Sequence, residues 1–466
     1  MPNRGSANLR SHHPPRADVH NAALFYRLSN GRFLSGGAAD PGPDGALYGT
    51  TTGGGTNESG TVFKIQPDGS GYKVLWSFPG YPGPDTPYAG LVLGGSTLYG
   101  TSSFGGTNNY GTIFKLNTDG SNPQVIYTIG TTNNDGDNPV ARLLLSGNTL
   151  YGTSPLAGNG AGDGLVFSLN TSGGNFQMLK FFGTPTDDSS DGYYPTTGLV
   201  LNGNTLFGTT ADGGNTNRPA GTVFEINTDG SDFAVRTRFE GSSAMIPDSD
   251  LILNSNILYG TTQSATNSEG VGTVFKINTD GTGLQVLHVF ENGLPGDGST
   301  PDGPLALSGN TLYGTTQSGS GNMGNGTVFG VNTDGTGYTL LHSFSPGSLN
   351  YDGELPYSGL VVGGGQLYGT ADRGGTSGYG TIFSLTYRSA IPTNLVYNPD
   401  GSFSLTYLLG TNYLGTNYTY ILQATTNLAQ NSWQSLATNL ATTNLWQITD
   451  INAKVIPARF YRVISH

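Results

Sequence analysis

The chain contains no cysteine. That removes disulfides, thiol catalysis and thiolate metal sites together, while leaving the cellular compartment open. Charge is scarce: Asp, Glu, Lys and Arg make up 11% of the residues, and 31 acids against 19 Lys and Arg give a net charge of −12. A chain so short of cations lacks the basic face that a phosphate backbone requires, so nucleic acid is not an expected partner. The same shortage argues against an electrostatic hold on anionic lipid. No stretch comes near the roughly 20 consecutive apolar residues of a membrane helix, so no transmembrane segment is expected. Met1 to Asn21 carries Arg4, Arg10, Arg16, His12, His13 and His20 but no apolar core of a signal peptide. Residues 1–22 are read as a disordered leader, or as a start downstream of an export signal.

Glycine, by contrast, reaches 75 residues in 466, and Thr, Asn and Ser supply most of the polarity. This composition is compatible with disorder, but short apolar blocks and plentiful aromatics recur at fixed places. Leu47-Tyr48-Gly49-Thr50 is answered by Gly60-Thr61-Val62-Phe63, and the pair returns along nearly the whole chain. The first aromatic stands at Tyr48, Tyr99, Tyr151, Phe207, Tyr259, Tyr313 and Tyr368, in steps of 51, 52, 56, 52, 54 and 55. The phenylalanine stands at Phe63, Phe114, Phe167, Phe224, Phe275, Phe329 and Phe383. Seven copies of a unit near fifty residues mark a repeat architecture.

Each unit reads as four short antiparallel strands. In the second they are Leu91-Val92-Leu93, an alternating Thr97 to Thr101, Gly111 to Leu116, and Gln124 to Ile129. Asp119-Gly120 lies between the last two, and Asp-Gly between alternating runs is a hairpin signal in which both turn positions favour positive φ. Four strands repeated seven times describe an all-β, seven-bladed β-propeller. The glycine after the aromatic is expected where neighbouring blades press together. The Leu, Tyr and Phe positions are expected as core, without chemistry.

The seventh copy lacks a fourth strand, because Phe383 runs into Arg388-Ser389-Ala390-Ile391-Pro392. Ala23 to Leu28 resembles a fourth strand, and its Leu28-to-Leu47 spacing matches the others. The N-terminal strand is therefore expected to complete the last blade and remove the open edges. The first copy departs from the rest: Asp40-Pro41-Gly42 replaces the apolar triplet, so its inner strand is irregular or uses Phe33-Leu34. The propeller is placed at residues 23–389. Phe403 to Tyr407, Tyr418 to Gln423, Trp433, Trp446 to Ile448 and Phe460 to Val463 are strand candidates for a small C-terminal, fibronectin-like β-sandwich at 390–466.

Leu258–Gly281 and Leu312–Gly335 show the unit in nearly full form. In this form it resembles the choice-of-anchor tandem repeat of GloVer type, found in predicted exported bacterial proteins. The segments Leu422 to Leu428 and Arg459 to Val463 look like the β-sandwich tail common in such proteins. The resemblance implies export and an extracellular or cell-surface setting, and it implies no catalytic residues.

Chemistry is expected on the loop face, where the connections between blades are rich in Asp: Asp85, Asp135, Asp137, Asp191, Asp248, Asp250, Asp297, Asp302 and Asp352. Most read as turn formers. Asp187-Asp188-Ser189-Ser190-Asp191-Gly192 matches the first half of an EF-hand-type loop, which makes Asp187 and Asp191 the candidate ligands for Ca²⁺, although position twelve is Gly198 rather than Glu. Asn133 to Asp137 is a second acidic cluster. His288 and His342 share a register with Trp76, Tyr127, Lys180 and Thr237, which marks an outer-strand position. No Ser/His/Asp arrangement, His pair at metal spacing or phosphate loop appears. The function expected is non-enzymatic binding or scaffolding by a monomer, with a polysaccharide or surface protein as partner. The alternatives are a glycosidase or polysaccharide lyase at the same face, and a structural envelope protein.

Overall fold

The computed structural model describes residues 20–24, 42, 44–130, 135–156, 164–183, 190–214, 220–239, 246–264, 270–291, 297–319, 325–344, 353–363, 365–375, 380–386, 391–397, 403–408, 419–425, 434–440, 445–450 and 460–465. Among them every regular element is a strand, and no helix is long and apolar enough to cross a membrane. The chain divides into two compact units, Val19–Ser384 and a second one that holds Leu385–His466.

The first unit is a seven-bladed β-propeller. In the second blade Val92–Gly94, Thr97–Ser102, Thr112–Asn117 and Gln124–Thr128 pair in sequence order as one antiparallel sheet. The third to sixth blades repeat this pattern. The first blade shows three strands among its described residues, Leu47–Thr51, Thr61–Ile65 and Lys73–Ser77. Phe33 and Leu34, the residues expected for its inner strand, lie outside the described residues. In the seventh, Val361–Gly363, Gln366–Ala371 and Thr381–Thr386 are completed by His20–Leu24. Leu24 stands opposite Thr381 as Ser77 stands opposite Thr61. The closing strand therefore sits three residues earlier than the Leu28 spacing predicts. It leaves a connection to Leu47 as long as the one from Phe290 to Leu312.

The second strand of each blade is buried on both faces rather than alternating: Leu98, Tyr99, Gly100, Thr101 and Ser102 are all buried. The reason is that a blade packs against a neighbour on either side. Tyr48, Val62 and Phe78 of the first blade share one cluster with Leu91, Leu98, Phe114 and Leu116 of the second. The same pairing joins blades two and three, three and four, four and five, and five and six. Leu47, Phe63 and Ile65 meet Tyr368 and Ile382, which closes the ring.

The glycine after the aromatic serves its own blade, contrary to the sequence expectation. Gly100 pairs across the sheet with Phe114, and a Cβ on it would lie 2.6 Å from the Phe114 ring and 2.8 Å from Leu91. Contact between blades falls on a different glycine. A Cβ on Gly272 would lie 2.3 Å from Pro301 of the next connection and 2.6 Å from the Thr262 carbonyl, at φ +124°. Gly60, Gly111, Gly164, Gly221 and Gly326 meet Pro87, Pro139, Pro195, Pro247 and Pro356 in the same way.

The residue before each of these prolines, Thr86, Asn138, Tyr194, Ile246, Thr300 or Leu355, has φ between 55° and 60°. That region is rare for L residues, and β-branched Thr and Ile are strained there at about 1–3 kcal/mol each. The strain is held by two backbone bonds that span blades. The Thr300 N–H donates to the Val271 carbonyl at 2.7 Å, and the Thr300 carbonyl accepts from Gln317 N–H at 2.9 Å. Thr86 and Leu355 are held likewise.

The Asp-Gly turns also differ from expectation. Only the glycine takes positive φ, as at Gly120 with +90°. Gly120 N–H donates to Asn117 O at 2.8 Å, and the Asp119 carboxylate accepts from Ser121 N–H at 2.8 Å. This is a type I turn ending in a left-handed glycine. Pro67 of the first blade, whose ring fixes negative φ, fits only this form. The turn lies against the preceding blade, since a Cβ on Gly120 would be 2.9 Å from the Leu75 carbonyl. It thereby shields the open edge of the outer strand.

The second unit contains two three-stranded antiparallel sheets. One orders Ile391–Tyr397, Phe403–Leu408 and Leu445–Asp450, the other Gln434–Leu440, Thr419–Thr425 and Phe460–Ser465. Ile391–Tyr397 is a strand despite Pro392, because it lies at a sheet edge and its register shifts after the proline.

Two stability outcomes follow from this packing. Gly272→Ala is expected to lose about 3 kcal/mol or more. Gly309→Ala, at φ +59° with nothing within 4 Å of a Cβ, should lose only the left-handed penalty of about 1–2 kcal/mol. Chemical denaturation of both variants measures the difference. Removing residues 1–28 should lower the propeller's melting temperature, whereas removing 1–18 should leave it unchanged.

Candidate functional site

The short inner strands of blades two to seven line a central channel of 1550 Å³. Its bore is aliphatic, with Leu145, Leu201, Leu253 and Leu307 among the lining residues. The linker prolines fix what faces the channel where the inner strands begin. The residue after each proline lines it: Tyr88, Val140, Thr196, Asp248, Asp302 and Tyr357 in blade order. Two residues further on come Gly90, Arg142, Gly198, Asp250, Pro304 and Gly359. The backbone around these positions repeats from blade to blade while the side chains do not, so the mouth of the channel is chemically lopsided. Carboxylates cluster where blades five and six enter.

Asp248 accepts from the Thr196 hydroxyl on one oxygen and from Gln263 Nε2 at 2.9 Å on the other. Asp250 Oδ1 accepts from Gly198 N–H at 2.6 Å, an approach that glycine permits because a Cβ there would lie 3.0 Å from Asp250 Oδ2. Arg142 Nε donates to the Leu91 carbonyl at 3.1 Å. Asp302 Oδ1 is shut off from solvent and accepts no hydrogen bond, and Asn138 Oδ1 on the same channel is in the same condition.

Burial pushes the Asp302 carboxyl up to about 7, and the charge of Asp248 adds to the rise against a hydrogen bond from Gln263. Burial also raises Asp248, where the Thr196 bond opposes it and the charges of Asp250 and Asp212 reinforce it. Asp250 is raised by burial, opposed by Gly198 N–H and by the Arg142 charge. Asp212 is raised by burial as well. Desolvation disfavours the ionised form at all four carboxyls, and like charge adds to it at Asp248 and Asp302.

Other loop positions singled out from sequence are placed elsewhere. Asp191 Oδ2 receives Lys180 Nζ at 2.6 Å, and the same ammonium lies 4.2 Å from the centre of the Phe233 ring. Asp135 takes Tyr127 Oη at 2.8 Å and Gly130 N–H at 2.8 Å. Asp297 meets His288 Nε2 at 3.1 Å and accepts from Glu291 N–H at 3.0 Å. These three acids are one latch repeated, each tying an outer strand to the connection that follows it. His288 also stacks on Tyr338 with ring centres 3.7 Å apart. Asp187, Asp188, Asn133 and Asn134 lie outside the described residues. Among the described residues no group of three or more His, Asp or Glu could hold a metal ion.

Sequence reasoning included Asp248 and Asp302 in the acidic connections but read them as turns. Aligning the six connections on their prolines isolates both, because the following residue is acidic only there.

Residues 35–270 and 220–427 match the model of the Gloeobacter/Verrucomicrobia repeat. No curated protein matches. Among solved structures, the GH74 xyloglucanase from Xanthomonas campestris is similar at 11% identity over 85% of this chain and 60% of that one, with a TM-score of 0.50. A putative 6-phosphogluconolactonase from Bacteroides uniformis is similar at 15% identity over 76% of this chain and 98% of that one, with a TM-score of 0.39. At these identities the likeness is one of fold alone.

The raised carboxyl carries a pH signature. Asp302 binds its proton more tightly folded than unfolded, so stability falls as pH rises from about 4 to about 7. Asp302→Asn removes that dependence. It should melt higher than the wild type at pH 8 and close to it at pH 4, as read by thermal denaturation at both values.

Proposed function

This chain belongs to the Gloeobacter/Verrucomicrobia repeat family, and we propose that it is an extracellular or cell-surface binding protein whose site is the mouth of the central channel. The observation that supports this reading is the break in the repeat. At one ring position blades two to seven carry Tyr, Val, Thr, Asp, Asp and Tyr on otherwise equivalent backbones. A purely structural envelope role gives no reason to bury Asp248 and Asp302 at the same ring position of adjacent blades, because desolvating like-charged carboxyls costs stability. A binding role does, since rigid scaffolds present their recognition groups at such positions.

The ligand class proposed is carbohydrate. Carboxylates and Asn138 accept hydrogen bonds from hydroxyls, and Tyr88 and Tyr357 supply aromatic surface at the same ring. A channel of 1550 Å³ exceeds the usual 300–1,000 Å³ of small-ligand sites, which leaves room for several sugar units.

One observation favours a second reading, cleavage of a glycosidic bond. A carboxyl raised to about 7 beside a second carboxyl is the arrangement from which a general acid is made. A polysaccharide array followed by a reducing-end assay separates the two. Binding without release of reducing ends is expected, with Asp248→Asn reducing it about tenfold or more, the scale of a lost charge-assisted hydrogen bond. Release of reducing ends that Asp302→Asn abolishes would establish turnover instead. Failure to bind any glycan would remove the carbohydrate assignment.

A further inference from the structure

We infer that Phe104 and Tyr81 form an aromatic subsite at the rim of the channel mouth, where the connection from blade one meets blade two, and that it stacks against sugar rings of a saccharide whose end is held in the mouth. The inference rests on the carbohydrate reading for the class of ligand, and on separate observations for the subsite.

The first observation is where large apolar side chains are exposed. Among the described residues they fall into two groups. Val74, Val125 and Met178 stand opposite Phe63, Phe114 and Phe167 on the outer strands of three blades. Tyr72 and Leu284 precede the outer strands of blades one and five at one shared register. These positions recur, so they belong to the scaffold. Tyr81 and Phe104 do not recur. Tyr81 is the most exposed of them all, at 62%, and Phe104 lines the channel. Where Phe104 stands, three residues after the repeated threonine, the other blades carry Gly53, Leu156, Asp212, Ser264, Ser318 and Arg373. An aromatic breaks the repeat here, as acids break it at Asp248 and Asp302.

The second observation is how the two rings are held. Pro79, Pro82, Pro84 and Pro87 stiffen the connection that carries Tyr81. The backbones of Phe104 and Asp85 exchange two hydrogen bonds, each 3.1 Å. Ser103 N–H donates to the Thr86 carbonyl at 3.0 Å, and Gly106 N–H donates to the Pro82 carbonyl at 2.9 Å. The two segments touch so closely that a Cβ on Gly105 would lie 2.0 Å from the Gly83 carbonyl oxygen. Tyr81 Oη reaches the Thr107 carbonyl at 3.5 Å, so both rings belong to one clamped pair of segments. An exposed ring on a stiff backbone buries little in the free protein, and it loses little freedom when a ligand covers it.

The third observation fits this surface to a sugar. Asp85 lies directly opposite Phe104, so the two side chains share one face. One Asp85 oxygen accepts the Thr86 hydroxyl at 2.9 Å, which leaves the second to accept from a ligand. An aromatic face beside a carboxylate matches a pyranose ring, whose apolar C–H face is edged by hydroxyl donors. A protein partner fits less well, because two part-exposed rings offer well under the roughly 800 Å² per side of a stable protein interface. Phe104 shares the channel lining with Tyr88, so a saccharide leaving the mouth over blade two meets this subsite next.

The test is calorimetric titration of the full chain with trisaccharides and hexasaccharides of the gluco, xylo and manno series. A hexasaccharide should bind about three- to tenfold tighter than its trisaccharide. Phe104→Ala and Tyr81→Ala should each lose most of that advantage while binding the trisaccharide as the wild type does. Phe104→Trp and Tyr81→Phe keep a ring and should retain the advantage, whereas Phe104→Leu keeps only apolar bulk and should lose it. Asp248→Asn should weaken both lengths alike. Thermal melts establish that the variants are folded. Unchanged hexasaccharide binding in both alanine variants overturns the aromatic subsite and leaves the carbohydrate reading standing. Loss by the same factor at both lengths also overturns it, because the rings then act inside the mouth. Binding of none of these oligosaccharides overturns both.

Discussion

No blade of this protein can bury its two faces alone. Each has an apolar second strand enclosed on both sides, so a blade is folded only as far as its neighbours are. This mutual burial explains the seven copies, the ring closed between Leu47 and Tyr368, and the use of an N-terminal strand to finish the last sheet. Apolar burial has no direction of its own and would tolerate blades at many angles. Direction comes from the connections, where a glycine lets a proline approach and a left-handed residue bonds to both blades. A soft, large force is thus aimed by a few stiff contacts.

The architecture was legible because burial on this scale leaves a periodic trace. The recurring Leu, Tyr and Phe fixed the number of blades, and the absent fourth strand after Phe383 pointed to closure by the N-terminal segment. Details decided by contact between distant segments were not legible. Gly100 and Gly111 both look like repeat glycines, yet one makes room for a ring in its own blade and the other for a proline of the next connection. The Asp-Gly turns carried the right residues for a tighter hairpin, and only the Asp119 carboxylate's bond to Ser121 shows why the aspartate keeps an ordinary right-handed conformation.

The site was harder to see for a related reason. Asp135, Asp191 and Asp297 stood in the same Asp-rich class of connections as Asp248 and Asp302, and each proves to latch an outer strand. Asp248 and Asp302 do not recur at their place after the proline, and the turn reading given to most of the class covered them too. In a repeat, what every copy keeps holds the scaffold together, and the chemistry sits where copies disagree on an agreed backbone. Finding that place required knowing that the residue after the proline faces the channel, which depends on how the ring closes in space.

Closure by the first strand also sets an order of events during synthesis. His20–Leu24 leaves the ribosome long before Thr381–Thr386, its partner, has been made. At 5–20 residues per second the wait is roughly twenty to seventy seconds. Through that interval six blades can stack in turn while the ring stays open, with an unpaired edge at its beginning and none yet at its end. The last sheet completed in building the propeller joins its earliest strand to its latest one. The finished ring therefore records that the whole array has been translated, and a truncated product cannot acquire this closure.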